Sequence, residues 1–191
     1  MTDTLILLAL ALAAQPAPAI QPPSAPLTAP LTVAAARQSL LGTWSGKLEY
    51  RDYQADKWFG LPVKIVVSDG GDGVTQLRTA DFDDGPKTGI VRITTVSLLA
   101  PDGITETAAS FRKGRTPELS SAKLSLAPSR QTDPTHWTMI SLEDATDDNR
   151  PAKLRHTTTR DGDELVTLKE VDFTDDQKNE WLTRNRETLS R

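Results

Sequence analysis

From Trp44 to the C-terminus the chain is a succession of short alternating runs, cut roughly every ten residues by Gly and Asp clusters. Trp44, Leu48 and Tyr50 share one parity, while Lys47, Glu49 and Arg51 share the other. Period-2 alternation is the mark of a strand with one buried face, because successive side chains point to opposite sides of a pleated backbone. Leu61, Val63, Ile65 and Val67 repeat the pattern before the turn at Asp69-Gly70-Gly71-Asp72-Gly73. Further strands are expected at 74–82, closed by Asp83-Asp84-Gly85-Pro86, and at 90–99, closed by Pro101-Asp102-Gly103. Others are expected at 104–111, 122–126 and 137–142.

The sharpest hairpin signal lies in Lys153 to Val171, where Asp161-Gly162 separates two alternating runs. A two-residue turn there predicts Arg160 opposite Asp163 and Lys153 opposite Glu170, pairing opposite charges across the ladder. With no strand–helix–strand alternation, these segments predict an all-β fold, an antiparallel up-and-down β-barrel of about eight to ten strands. The last segment reads two ways. Thr174-Asp175-Asp176-Gln177 is a capping box that would start a helix over 175–189. Only Trp181, Leu182 and Leu189 are apolar there, a poor helical stripe, and a barrel must close to remove its edges. A closing strand over 181–189 is therefore favoured.

The N-terminal end has another character. Leu5 to Ala14 is a short apolar run followed by Ala17-Pro18-Ala19, a secretory signal-peptide pattern too short for a spanning helix. The residues before Leu5 carry Asp3 and no Lys or Arg, which points to a true start upstream of Met1. The expected organisation is a signal peptide over 1–19, a Pro/Ala-rich disordered linker over 20–32 and the barrel domain over 33–191, which opens on a short helix at 33–41 ended by Gly42. The product is expected to be periplasmic or extracellular. With no cysteine it has neither a disulfide nor a site for an N-terminal lipid, so no stable membrane anchor is expected. Cleavage would leave 22 basic against 25 acidic residues, a net charge of −3, which argues against a nucleic-acid partner. Charged residues at 25% and hydrophobic residues at 37% fit a folded domain.

Gly42-x-Trp44 at the opening of the first strand resembles the signature of the lipocalin and calycin superfamily. That resemblance implies a Trp plugging one barrel end beneath an Arg from the last strand, here Arg184 or Arg186. Gly42-Thr43-Trp44-Ser45-Gly46 also resembles the start of nitrobindin-like haem barrels, which would imply an axial histidine. His156 shares the face of Leu154 and Leu165, and could serve. Read from the residues alone, it is a hydrogen-bonded strand histidine, and the sequence calls for no cofactor.

Chemistry is otherwise sparse. The acidic clusters at 81–84, 144–148 and 161–164 lack the spacing of a calcium loop, and turn formation accounts for them, so no metal is expected. No nucleophile elbow, zinc-binding His pair or phosphate loop is present, and no catalytic residue is assigned. Tyr50, Tyr53 and Trp58, with His156, are the candidate ligand-binding residues, the aromatics suiting a binding mouth. The expected function is an exported, non-catalytic barrel holding a small apolar or amphipathic molecule. Two alternatives stay open, a ligand-free envelope interaction module with an unassigned protein partner, and an envelope hydrolase.

Overall fold

The computed structural model describes residues 30–128, 133–176 and 178–191. The expected signal peptide lies outside these residues, as does the expected linker up to residue 29. Helix α1 (Val33–Gln38) is followed by ten strands: β1 (Gly42–Asp52), β2 (Lys57–Asp69), β3 (Thr75–Asp83), β4 (Ile90–Leu99), β5 (Thr105–Arg112), β6 (Glu118–Leu126), β7 (His136–Asp147), β8 (Arg150–Asp161), β9 (Glu164–Phe173) and β10 (Leu182–Ser190). Each strand pairs antiparallel with its sequence neighbours, and β10 closes the barrel against β1. The up-and-down barrel expected from the alternation is thus the fold, and the final segment is its closing strand. Closure explains that outcome: β10 supplies ladder partners to both β9 and β1, which a helix could not.

Strand ends follow from local chemistry. Two turns share one device, Asp72-Gly73-Val74-Thr75 and Asp102-Gly103-Ile104-Thr105. In each, one Asp oxygen accepts the backbone N–H of the residues two and three places on, at 3.0 and 2.7 Å for Asp72 and 3.0 and 2.8 Å for Asp102. The glycines take φ of +74° and +71°, a conformation that a Cβ disfavours. These bonds, chiefly from Thr75, hold the Asp72 carboxyl down to about 2.

The β8–β9 hairpin differs from the sequence expectation by two residues. Asp161 faces Glu164 and Arg155 faces Glu170, so the turn is Gly162-Asp163. Gly162 sits at its first central position with φ +63°, where glycine is favoured in a II′ turn. A shift of two leaves every side chain on its expected face, since the strand period is two. It also replaces the expected Lys153–Glu170 pair by an Arg155–Glu170 ion pair of 2.8 Å.

The wall is not uniform. β6 and β7 pair only through Lys123–Leu126 and Met139–Leu142, and their mouthward halves diverge. At the opposite end α1 seals the barrel. Val33, Ala36, Trp44, Ile65, Leu124, Trp137, Leu165 and Leu189 belong to one buried cluster there. A second cluster, Ala152, Leu154, Val171 and Phe173, lines β8 and β9 towards the mouth.

Candidate ligand-binding lumen

The floor of the barrel is built around Trp44. Its ring is 1% exposed and its indole N–H donates to the Leu40 carbonyl at 2.8 Å. Gly46, two residues on, is packed so closely that a Cβ would lie 2.0 Å from the Thr188 carbonyl oxygen. The Arg expected over Trp44 is neither Arg184 nor Arg186. Arg191 lies 4.3 Å from the ring centroid and Arg160 5.6 Å. Register is the reason. Ser45 faces Ser190, which puts Trp44 beside position 191, whereas Arg186 is roughly 16 Å back along β10. Arg186 instead binds the Glu49 carboxylate at 2.9 Å over Trp58, and Arg184 binds Asp147 and Asp148 over Phe173. Arg160 and Arg191 also donate to the Ser39 carbonyl, tying the end of α1 to the barrel. Trp137, fully buried, donates its indole N–H to Ser39 Oγ at 3.0 Å.

Above this floor is a cavity of about 430 Å³. Its apolar lining includes Trp44, Leu48, Ile65, Met139, Leu165 and Leu189. Two ion pairs cross the polar part. Arg78 donates to both Glu187 oxygens at 2.9 Å, and Arg37 meets Glu106 at 2.8 Å. Thr158 and Thr167 hydrogen-bond each other across β8 and β9 at 3.0 Å.

One cross-strand row behaves differently. His156 faces Lys169, Lys169 faces Asn185, and Asn185 faces Tyr50, placing one residue of each adjacent strand from β8 through β9 and β10 to β1 in line. All four line the lumen or its mouth. Among the described residues none of these side chains makes a hydrogen bond or ion pair with another protein group. Burial, reinforced by the Lys169 ammonium, pushes the His156 imidazole down to about 4, so it is neutral near pH 7. Burial raises the Tyr50 phenol above its ordinary value, keeping its O–H a donor. Farther along β7, Glu143 feels the same ammonium: burial raises its carboxyl and Lys169 opposes the shift.

The four candidate residues therefore divide. Tyr50 and His156 are brought together by the row. Tyr53 lies in the β1–β2 turn, 52% exposed, with its hydroxyl on the Thr183 carbonyl. Trp58 has the parity opposite to the inward-facing Phe59 and is flanked by Arg51 and Arg186. Lys169 and Asn185 were not singled out from the sequence, although Lys169 shares the parity of Leu165 and Val171, a signal that could have found it.

The lining does not fit the haem that the nitrobindin-like resemblance implies. A flat macrocycle on His156 needs broad apolar walls, whereas Lys169, Thr158 and Asn185 surround this imidazole and the Arg78–Glu187 pair shares its cavity. Nor do the described residues contain a group of three or more His, Asp or Glu able to hold a metal ion.

The desolvated imidazole has a measurable consequence. Between about pH 6.5 and 4 the unfolded chain takes up a proton at His156 that the folded chain refuses, so stability falls as pH falls through that window. Wild-type protein should lose about 2 kcal/mol more than His156→Gln between pH 7 and pH 4, allowing for water that still reaches the lumen. Urea denaturation across that range measures the difference, and parallel profiles would show an imidazole that is not desolvated.

No family model matches the chain, and no curated protein sequence matches it. Among solved structures it is similar to the crystal structure of Rv2717c from M. tuberculosis, with a TM-score of 0.56 at 13% identity. That similarity covers 83% of this chain and 96% of the other. At such identity the likeness concerns the barrel fold alone.

Proposed function

We propose that the protein is a non-catalytic carrier that holds one small amphipathic molecule in its barrel lumen. The observation that carries this reading is the lumen itself: a cavity of about 430 Å³ with an apolar floor and a row of polar side chains left without protein partners. Polar groups facing a cavity cost free energy unless water or a ligand satisfies them. A few convergent polar groups over an apolar surface are what a small-molecule site requires. Export belongs to the same reading and rests on the apolar run Leu5 to Ala14 and the Ala17-Pro18-Ala19 step.

Titration with the neutral dye N-phenyl-1-naphthylamine tests the reading. The expected result is saturable, one-to-one dye fluorescence with quenching of Trp44, whose ring lines the cavity. Replacing Thr167 by Leu, which narrows the lumen without touching the outer face, should abolish it. A dye signal indifferent to that substitution, or no binding at all, contradicts the reading and favours an interaction module with a closed interior.

A further inference from the structure

We propose that the ligand of this lumen is a carboxylate-bearing amphiphile, with its head group held by Lys169 and its apolar chain on the floor near Trp44. The inference rests on the carrier reading and names the ligand class for the same site.

Three cations line the cavity: Arg37, Arg78 and Lys169. Arg37 is matched by Glu106 at 2.8 Å and Arg78 by Glu187 at 2.9 Å, so each is already committed within the protein. Lys169 has no carboxylate within ion-pair distance among the described residues. Its cross-strand neighbours are the neutral His156 and the Asn185 amide, both able to donate to an anionic oxygen. Glu143 on β7 is coupled to Lys169 without an ion pair, and burial raises its carboxyl above the ordinary value. Lys169 is thus the one cavity-lining cation without a carboxylate at ion-pair distance among the described residues, and it stands beside two neutral donors.

That arrangement selects among head groups. A single ammonium with neutral donors matches the single charge of a carboxylate. A phosphate monoester, carrying nearly two charges and three acceptor oxygens, calls for a cluster of cations or the bidentate fork of a free Arg. A cationic head would face Lys169 directly, with like-charge repulsion in a partly desolvated site. The apolar residues Leu48, Leu165 and Leu189 lie on the same cavity wall towards the floor, so a hydrocarbon chain can follow them while the head stays on the row.

Displacement of N-phenyl-1-naphthylamine by decanoate, decanol, decyl phosphate and decyltrimethylammonium tests the proposal on the full chain. Decanoate should displace the dye at least tenfold more tightly than decanol, and more tightly than decyl phosphate, while the ammonium compound should be the weakest. Lys169→Gln should erase the advantage of decanoate over decanol, whereas Lys169→Arg should preserve it. Decanol binding by Lys169→Gln also reports that the variant is folded. Equal displacement by decanoate and decanol in the wild type overturns the proposal while the carrier reading stands. So does a preference for decyl phosphate, or a decanoate preference that survives Lys169→Gln. Dye binding that none of the four displaces defeats both.

Discussion

Trp44→Ala should destabilise the protein by about 3–5 kcal/mol, the usual range for truncating a fully buried large aromatic. The site has little means of collapsing around the loss. The ring is packed under α1 with Ile65 and Leu189 in the floor cluster, and its indole N–H holds the Leu40 carbonyl. Removing it also strips Arg160 and Arg191 of the surface they lie over, while both remain fixed to the Ser39 carbonyl. Arg160 is 4% exposed, and its burial already disfavours the charge. Chemical denaturation followed by far-UV circular dichroism gives the number without relying on the lost Trp fluorescence. A cost below about 1 kcal/mol, as for an exposed position, would mean that Trp44 is not the plug of this end.

Arg37→Ala should be of comparable size, about 3–5 kcal/mol, for a different reason. Its side chain is 3% exposed and makes three contacts: Glu106 at 2.8 Å, the Val74 carbonyl at 3.0 Å and Ser97 Oγ at 2.9 Å. Truncation leaves the Glu106 charge facing the lumen without its cation, and an unpaired charge costs more than the intact pair was worth. The double variant Arg37→Met with Glu106→Leu removes both charges together. It should therefore be less destabilised than the sum of the two single variants by 1 kcal/mol or more, the sign of direct coupling in a double-mutant cycle. Strictly additive costs would show that solvent screens the pair, as at an exposed bridge.

The two predictions mark where sequence reading stops. Trp44 was visible because glycine, aromatic and alternation occur together in one short stretch. Arg37 was not, since nothing local distinguishes it from any other basic residue in the last turn of a short helix. Its importance comes from chain closure, which brings α1 against residues 37 and 60 positions away at Val74 and Ser97. The choice of Arg184 or Arg186 failed for a related reason. Parity and strand order could be read from β10, but the offset between β1 and β10 is a property of the closed barrel. That offset put Arg191 over Trp44. The β8–β9 register was misplaced by two residues, and its turn by one, yet no side chain changed face. Faces are legible because they are encoded every second residue, and register is less so because turn chemistry decides it.

The site was half legible on the same grounds. His156 was placed inward by its alternation with Leu154, and Tyr50 by its alternation with Leu48. Tyr53 and Trp58 looked equivalent to Tyr50 as aromatics in one hairpin. One lies in the turn, however, and the other has the opposite parity. Lys169 is placed inward by its parity with Leu165 and Val171, but its alignment with His156 and Asn185 depends on three strands lying side by side, which local pattern does not report.

The carrier account is tested most directly by a crystal structure with a terminally brominated decanoate. Anomalous scattering from the bromine locates the chain end independently of any fitted ligand. The account predicts one site inside the barrel, with bromine against Trp44, Leu165 and Leu189 and the carboxylate beside Lys169. Bromine found only on the outer face, for example in the groove by Leu142 and Trp181, or nowhere in a lumen closed by its own side chains, would contradict it.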